Sequence, residues 1–267
     1  MKRVMSYTVV GLVATLGLSV ADDSDRQYGG YVSNEETRFQ GYVWDFLEEL
    51  GNDCTAFLGA CTDLKSSWIN DSYSRSQYYW GSCPMLSGSD NSYVDSVDLA
   101  YVAGHGNASL ISMNGTSCDL ANASYGDGDL ETIVFHSCKV LQMDSAWRSR
   151  WRSASSTDVR PFNGLHQALG FRTNHNNGLG AGAWTSDEFA ENLEDGYNMR
   201  LGWYNAVEAG YWLSSYAVYV EGDNKQAIFY VRQNGDETMS QLSNLGNGGG
   251  DVRFGSSAYI LDAYYRQ

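Results

Sequence analysis

A histidine at 105 and a cysteine at 138 each close a short apolar run, Asp98-Leu-Ala-Tyr-Val-Ala-Gly-His105-Gly106 and Glu131-Thr-Ile-Val-Phe-His-Ser-Cys138. Runs of this length and composition read as strands of a parallel sheet with both faces buried. A thiol attacks a carbonyl only as thiolate, so it needs a base or a positive field beside it. Two neighbouring parallel strands would deliver imidazole and thiol to one sheet edge, where open α/β sheets bind their ligands. The chemistry expected is nucleophilic, with Cys138 attacking and His105 acting as general base and then general acid. Gly106 lacks a Cβ, so its N–H can approach a substrate carbonyl oxygen, and with the N–H of Cys138 it would form an oxyanion hole.

Other residues compete for a part in that site. His136 stands two before Cys138 and would share its side on a continuing strand; its expected role is structural, donating to a neighbouring carbonyl. His166 and His175 follow on a segment expected at the same edge, with His175 as a substrate contact. A zinc site from His105, His136, His175 and Cys138 matches no closed structural spacing and lacks the acidic motif of a zinc hydrolase, so neither metal nor cofactor is expected. Trp147, Trp151 and Trp184 offer flat rings for subsite walls or for the core, and Trp147 is placed with the substrate contacts.

A strand ending in His-Gly, followed some tens of residues later by one ending in a small residue and Cys, resembles the caspase, legumain and gingipain group of cysteine peptidases. The chain further resembles a microbial caspase-like family in which a Trp-containing stretch after the Cys leads to a segment like Phe162-Asn-Gly-Leu-His-Gln-Ala-Leu-Gly-Phe171. The likeness covers roughly Gly41 to Trp184. It implies a three-layer α-β-α domain with a mostly parallel central sheet, acting as a cysteine endopeptidase or related amide hydrolase on a peptide or protein. Peptidases of the group recognise one charged or amide-bearing side chain before the scissile bond. The acidic balance favours a basic one, with Asp144, Asp95 and Asp158 as its partners. At His136 the chain departs from the group, where an apolar or small residue is usual. The alternative is therefore a catalytically inactive protein of that fold with an extracellular binding or structural role.

The 267 residues carry a formal charge of −15, more negative still once Lys2 and Arg3 leave with a leader. Such a balance excludes a nucleic-acid partner, because a phosphate backbone demands a basic face. It would suit a saline medium, in which salt screens the repulsion among carboxylates. Met1-Lys2-Arg3, the apolar run Val9 to Val20 and the small residues Ser19 and Ala21 form a secretory signal over residues 1–21. The run is too short to span a bilayer comfortably, so export without stable membrane insertion is expected. Sequons at Asn70, Asn107, Asn114 and Asn122 are glycosylation candidates in an exported chain. Of five cysteines one must stay unpaired; with Cys138 as the free nucleophile, Cys54, Cys61, Cys83 and Cys118 can form two disulfides in any of three pairings.

No linker interrupts residues 22–267, which read as one domain. Phe39, Tyr42, Val43, Phe46, Leu47 and Leu50 recur at helical spacing, with Gly51 as the expected stop. Cys54 to Pro84 reads as irregular, and Asn107 to Gly128 as a surface loop with a short hairpin. A helix is expected to begin at or near Cys138, its dipole favouring the thiolate. Leu165 to Phe171 reads as a helix or the next strand, and Ser186 as the N-cap of an acidic helix over Glu188 to Leu193. Residues 211–267 read as a β-rich C-terminal part, with strands at Tyr216 to Glu221, Ala227 to Val231 and Tyr259 to Tyr264.

Overall fold

Every side chain of Leu99-Ala100-Tyr101-Val102-Ala103 and of Thr132-Ile133-Val134-Phe135-His136 is buried, as it must be when both faces of a sheet are covered. A computed structural model describes residues 26–32, 37–57, 61–62, 94–108, 110–113, 116–120, 125–126, 130–142, 165–175, 180–217, 226–231 and 259–262. Its strands are β1 (Arg26–Val32), β2 (Cys61–Thr62), β3 (Leu99–Ala103), β4 (Leu110–Met113), β5 (Thr116–Asp119), β6 (Thr132–His136), β7 (Gln167–Phe171), β8 (Gln226–Val231) and β9 (Tyr259–Asp262). Its helices are α1 (Thr37–Phe57), α2 (Ala181–Glu194) and α3 (Met199–Ala217).

The fold is α/β. The central sheet runs in the order β2-β1-β3-β6-β7-β8-β9. The first five of these pair parallel, while β8 and β9 extend the sheet antiparallel. The chain steps from β1 outward to β2 and then back across to β3, so the switch in strand order falls between β1 and β3. A crevice at the carboxyl ends of the strands is the ligand position such a switch creates.

Register puts Tyr28, Leu99, Thr132 and Gln167 on one row, and Val32, Ala103 and His136 on another of the same face. That face carries the described helices: Phe46 stacks on Tyr101 at 4.4 Å between ring centroids, and Trp203 of α3 meets Phe171 at 5.3 Å. Burying side chains of this size contributes about 1.5–3 kcal/mol each. On the other face Tyr125 lies against Phe135, and Leu141 lies close under Gly170. Among the described residues that second covering contains no helix of eight residues or more.

Helix α1 buries Phe39, Tyr42, Val43, Phe46, Leu47 and Leu50, as its spacing predicts, but it runs past Gly51 to Phe57. Gly51 is no stop signal: a Cβ there would stand 3.1 Å from Tyr28 Oη, so the missing side chain makes room for the sheet. Gly30 does the same in β1, since a Cβ would strike Val43 Cγ1 and come within 2.8 Å of Leu47 Cδ1. Gly30→Ala is expected to push α1 off the sheet and lower stability by roughly 1–3 kcal/mol, read as a drop in urea midpoint at constant slope.

Two further expectations change. Ser186 is no N-cap, because α2 already starts after Gly180 (φ 82°) and the Ser186 hydroxyl donates back to Gly182 O at 3.0 Å. Tyr216 closes α3 instead of opening a strand. In the carboxyl-terminal part, strands β8 and β9 join the central sheet. The expected hairpin between the two site strands is present as β4 and β5. The signal over residues 1–21 lies outside the described residues.

Candidate functional site

Because Ala103 pairs with His136 across β3 and β6, the residues two further on, His105 and Cys138, leave the same sheet edge from neighbouring strands. Side-chain and backbone contacts lock the two exits together. Ser137 Oγ donates to Gly104 O at 2.7 Å, and a Cβ on Gly106 would lie 2.9 Å from Ser137 Cβ and 3.0 Å from Cys138 O. The hairpin holds the His105 side through Ser112 N–H to His105 O (2.7 Å) and Asn107 N–H to Leu110 O (3.0 Å). These bonds use neither the Gly106 N–H nor the Cys138 N–H. His105 is exposed at the mouth, its ring edge-on to Phe39 at 4.9 Å between centroids.

No helix starts at Cys138, contrary to expectation. Lys139 takes a left-handed conformation (φ 59°), its N–H bonds Thr173 O, and Leu141 N–H bonds Phe171 O. The described residues after Cys138 are thereby tied to the end of β7 in a turn. A backbone donor acts on the sulfur: His175 N–H points to Cys138 Sγ at 3.4 Å, and the thiol faces His175 O at 3.9 Å. Cys138 is a free, half-buried thiol. Cys118 on β5 is buried. Cys83 and the side chains of Cys54 and Cys61 lie outside the described residues.

Behind the thiol is a buried polar chain that sequence reasoning missed. Tyr101 Oη lies 2.6 Å from His136 Nδ1 and 3.0 Å from Ser186 Oγ, and His136 Nε2 lies 3.4 Å from His175 Nε2. His136 therefore meets a phenol and a second imidazole, where a bond to a carbonyl was expected. Its ring stacks on Tyr42 at 4.8 Å and meets Trp203 edge-on at 6.2 Å. The signal was the odd polarity of Tyr101 and His136 inside two otherwise apolar strands.

Burial holds the His136 imidazole well below its ordinary 6.5, and a positive charge on His175 would lower it further. Burial likewise keeps the Tyr101 phenol protonated. An unfolded chain accepts a proton on His136 below about pH 6.5 that the folded chain refuses, so stability is lost as pH falls below 6.5. The loss grows by about 1.4 kcal/mol per pH unit per proton until the depressed folded value is reached. Urea denaturation between pH 7 and pH 5 should show this slope, and His136→Gln should remove close to one proton from it. An unchanged slope would show that His136 is not the group responsible.

Of the other candidates, His175 joins the site, whereas His166 sits before β7 at the opposite edge, its N–H bonded to Glu131 O at 2.8 Å. Buried Asp95 accepts from Gly126 N–H at 2.6 Å, which gives it a turn to hold in place of a substrate. Trp184 is exposed on α2, and Asn107 is exposed with Oδ1 accepting from Leu110 N–H at 3.1 Å. Trp147, Trp151, Asp144, Asp158, Asn70, Asn114 and Asn122 lie outside the described residues. Among the described residues no three His, Cys, Asp or Glu side chains converge as metal ligands, and no helix is long and apolar enough to cross a membrane.

Residues 56–252 match the family described as domain of unknown function DUF6345. The chain belongs to that family. The matched span contains His105, Cys138, His175 and strands β2 to β8, while β1 and nearly all of α1 precede it. The helix that supplies Phe39 and Tyr42 to the site is thus contributed from outside the span. No curated protein matches the chain.

Proposed function

We propose that this protein is an exported cysteine hydrolase of caspase-like fold, an endopeptidase or related amide hydrolase, with Cys138 as nucleophile and His105 as general base and acid. One observation carries the reading: a free thiol and an exposed imidazole leave one edge of the sheet from adjacent parallel strands.

In that chemistry His105 takes the thiol proton and the sulfur bonds to the carbonyl carbon. The oxyanion is held by the amides of Gly106 and Cys138. The carbon–nitrogen bond then breaks as His105 returns the proton to the leaving amine, and water hydrolyses the thioester. Cys138 Sγ rests against the His175 backbone and His105 against Phe39.

A peptide bearing a thiol-reactive group tests the reading. Rapid modification confined to Cys138, and lost in His105→Ala, supports a hydrolase. Slow labelling indifferent to His105 favours the inactive binding protein. Hydrolysis should also survive chelators, and its recovery by zinc after chelation would overturn the metal-free scheme.

A further inference from the structure

The buried chain behind Cys138 can be given a direction. Ser186 Oγ donates to Gly182 O, its helical i−4 carbonyl, so the Ser186 oxygen is available to accept from Tyr101 Oη–H. With its proton committed there, Tyr101 Oη accepts from His136 Nδ1–H. His136 Nε2 is then the bare nitrogen and accepts from His175 Nε2–H. This assignment makes four hydrogen bonds in series. Reversing Tyr101 so that it donates to His136 leaves the Ser186 oxygen without a donor inside a fully buried cluster, and buried hydrogen bonds aligned head to tail reinforce one another. Ser186 Oγ also lies 3.5 Å from His136 Nδ1, too far to replace the phenol.

We propose that Ser186, Tyr101 and His136 form a positioning relay for the thiol: by fixing the ring of His175 they fix the backbone amide of His175 that points at Cys138 Sγ. The functional meaning rests on the hydrolase reading, because only there does an N–H aimed at the sulfur stabilise the nucleophile. His136 suits the task because burial keeps it neutral, able to accept on one nitrogen and donate on the other. The walls that hold it are Tyr42, Phe171 and Trp203. The departure at His136 from the usual apolar or small residue is, on this view, the device that anchors the loop after β7.

The test reads tautomers and thiol reactivity separately from turnover. Nitrogen-15 NMR of the full chain should show His136 protonated on Nδ1 and His175 on Nε2. In Ser186→Ala the phenol loses its acceptor, turns to His136 Nδ1, and both tautomers invert, an outcome that simple packing would not produce. His136→Phe should slow iodoacetamide alkylation of Cys138 by about tenfold, the loss of one hydrogen bond to a charged group. His175→Phe removes the same anchor from its other end and serves if His136→Phe does not fold. Unchanged tautomers in Ser186→Ala, or native alkylation in a folded His136→Phe or His175→Phe, overturns the proposal. Slowed alkylation without any peptide hydrolysis by the native chain removes the hydrolase reading and leaves the relay standing; hydrolysis with unchanged alkylation does the reverse.

Discussion

Cys138→Ala should remove hydrolysis, by at least about a thousandfold, while the protein stays folded. The thiol is half-buried and takes the His175 N–H, so truncation costs about 1 kcal/mol of stability, one modest hydrogen bond. His105→Ala should fall nearly as far, because the thiol then has no proton acceptor at the mouth and the leaving amine no proton donor. The ring is exposed, with Phe39 as its aromatic neighbour, so its loss also spares the fold. Nucleophile and base act as one unit, and the Cys138→Ala, His105→Ala double variant should be little worse than either single one. Steady-state rates on a peptide pool, with melting curves alongside, check all three. Full activity in Cys138→Ala would end the mechanism.

The strands that carry the site were legible because their apolar runs end abruptly in His-Gly and Ser-Cys. The pairing of β3 with β6 then follows from proximity in sequence and parallel topology. What lay hidden was whatever depends on the third dimension. Gly51 reads as a stop, yet it is a contact point for Tyr28. Helix α3 has its signals in the sequence, at its start and along its buried face. Gly196 (φ 81°) closes α2 with Gly196 N–H to Leu193 O and Tyr197 N–H to Asn192 O, and Asn198 Oδ1 caps α3 by accepting from Leu201 N–H at 2.8 Å. Met199, Trp203, Ala206 and Val207 then repeat at helical spacing. The turn after Cys138 reads as helix because Val140 and Leu141 are apolar, but Val140 packs at Gly106 and Leu141 at Gly170 of β7, which no local pattern discloses. The contact between Tyr101 and His136 runs on to Ser186 of α2, far away in sequence, and polarity alone gave the hint.

Gly106→Ala is the substitution in which fold and chemistry meet. The added Cβ would stand 2.9 Å from Ser137 Cβ, 2.9 Å from Val140 Cγ2 and 3.0 Å from Cys138 O, a spacing that folded proteins do not tolerate without movement. Ser137 is pinned by its bond to Gly104 O, and Leu141 by its bond to Phe171 O. The strain therefore falls on the short turn between them, which carries Cys138 and its amide. Overpacking of this kind costs about 1–3 kcal/mol, which a melting curve will show. The catalytic loss should be larger. If the amides of Gly106 and Cys138 bind the oxyanion, spreading them by a fraction of an ångström removes a stabilisation present only in the transition state, so kcat should fall about a hundredfold with KM nearly constant. Adding Val140→Ala opens space for the new methyl on one side and should restore part of both losses, since the two positions touch. A Gly106→Ala variant that is destabilised but retains native kcat would separate this glycine's packing role from catalysis and remove it from the oxyanion site.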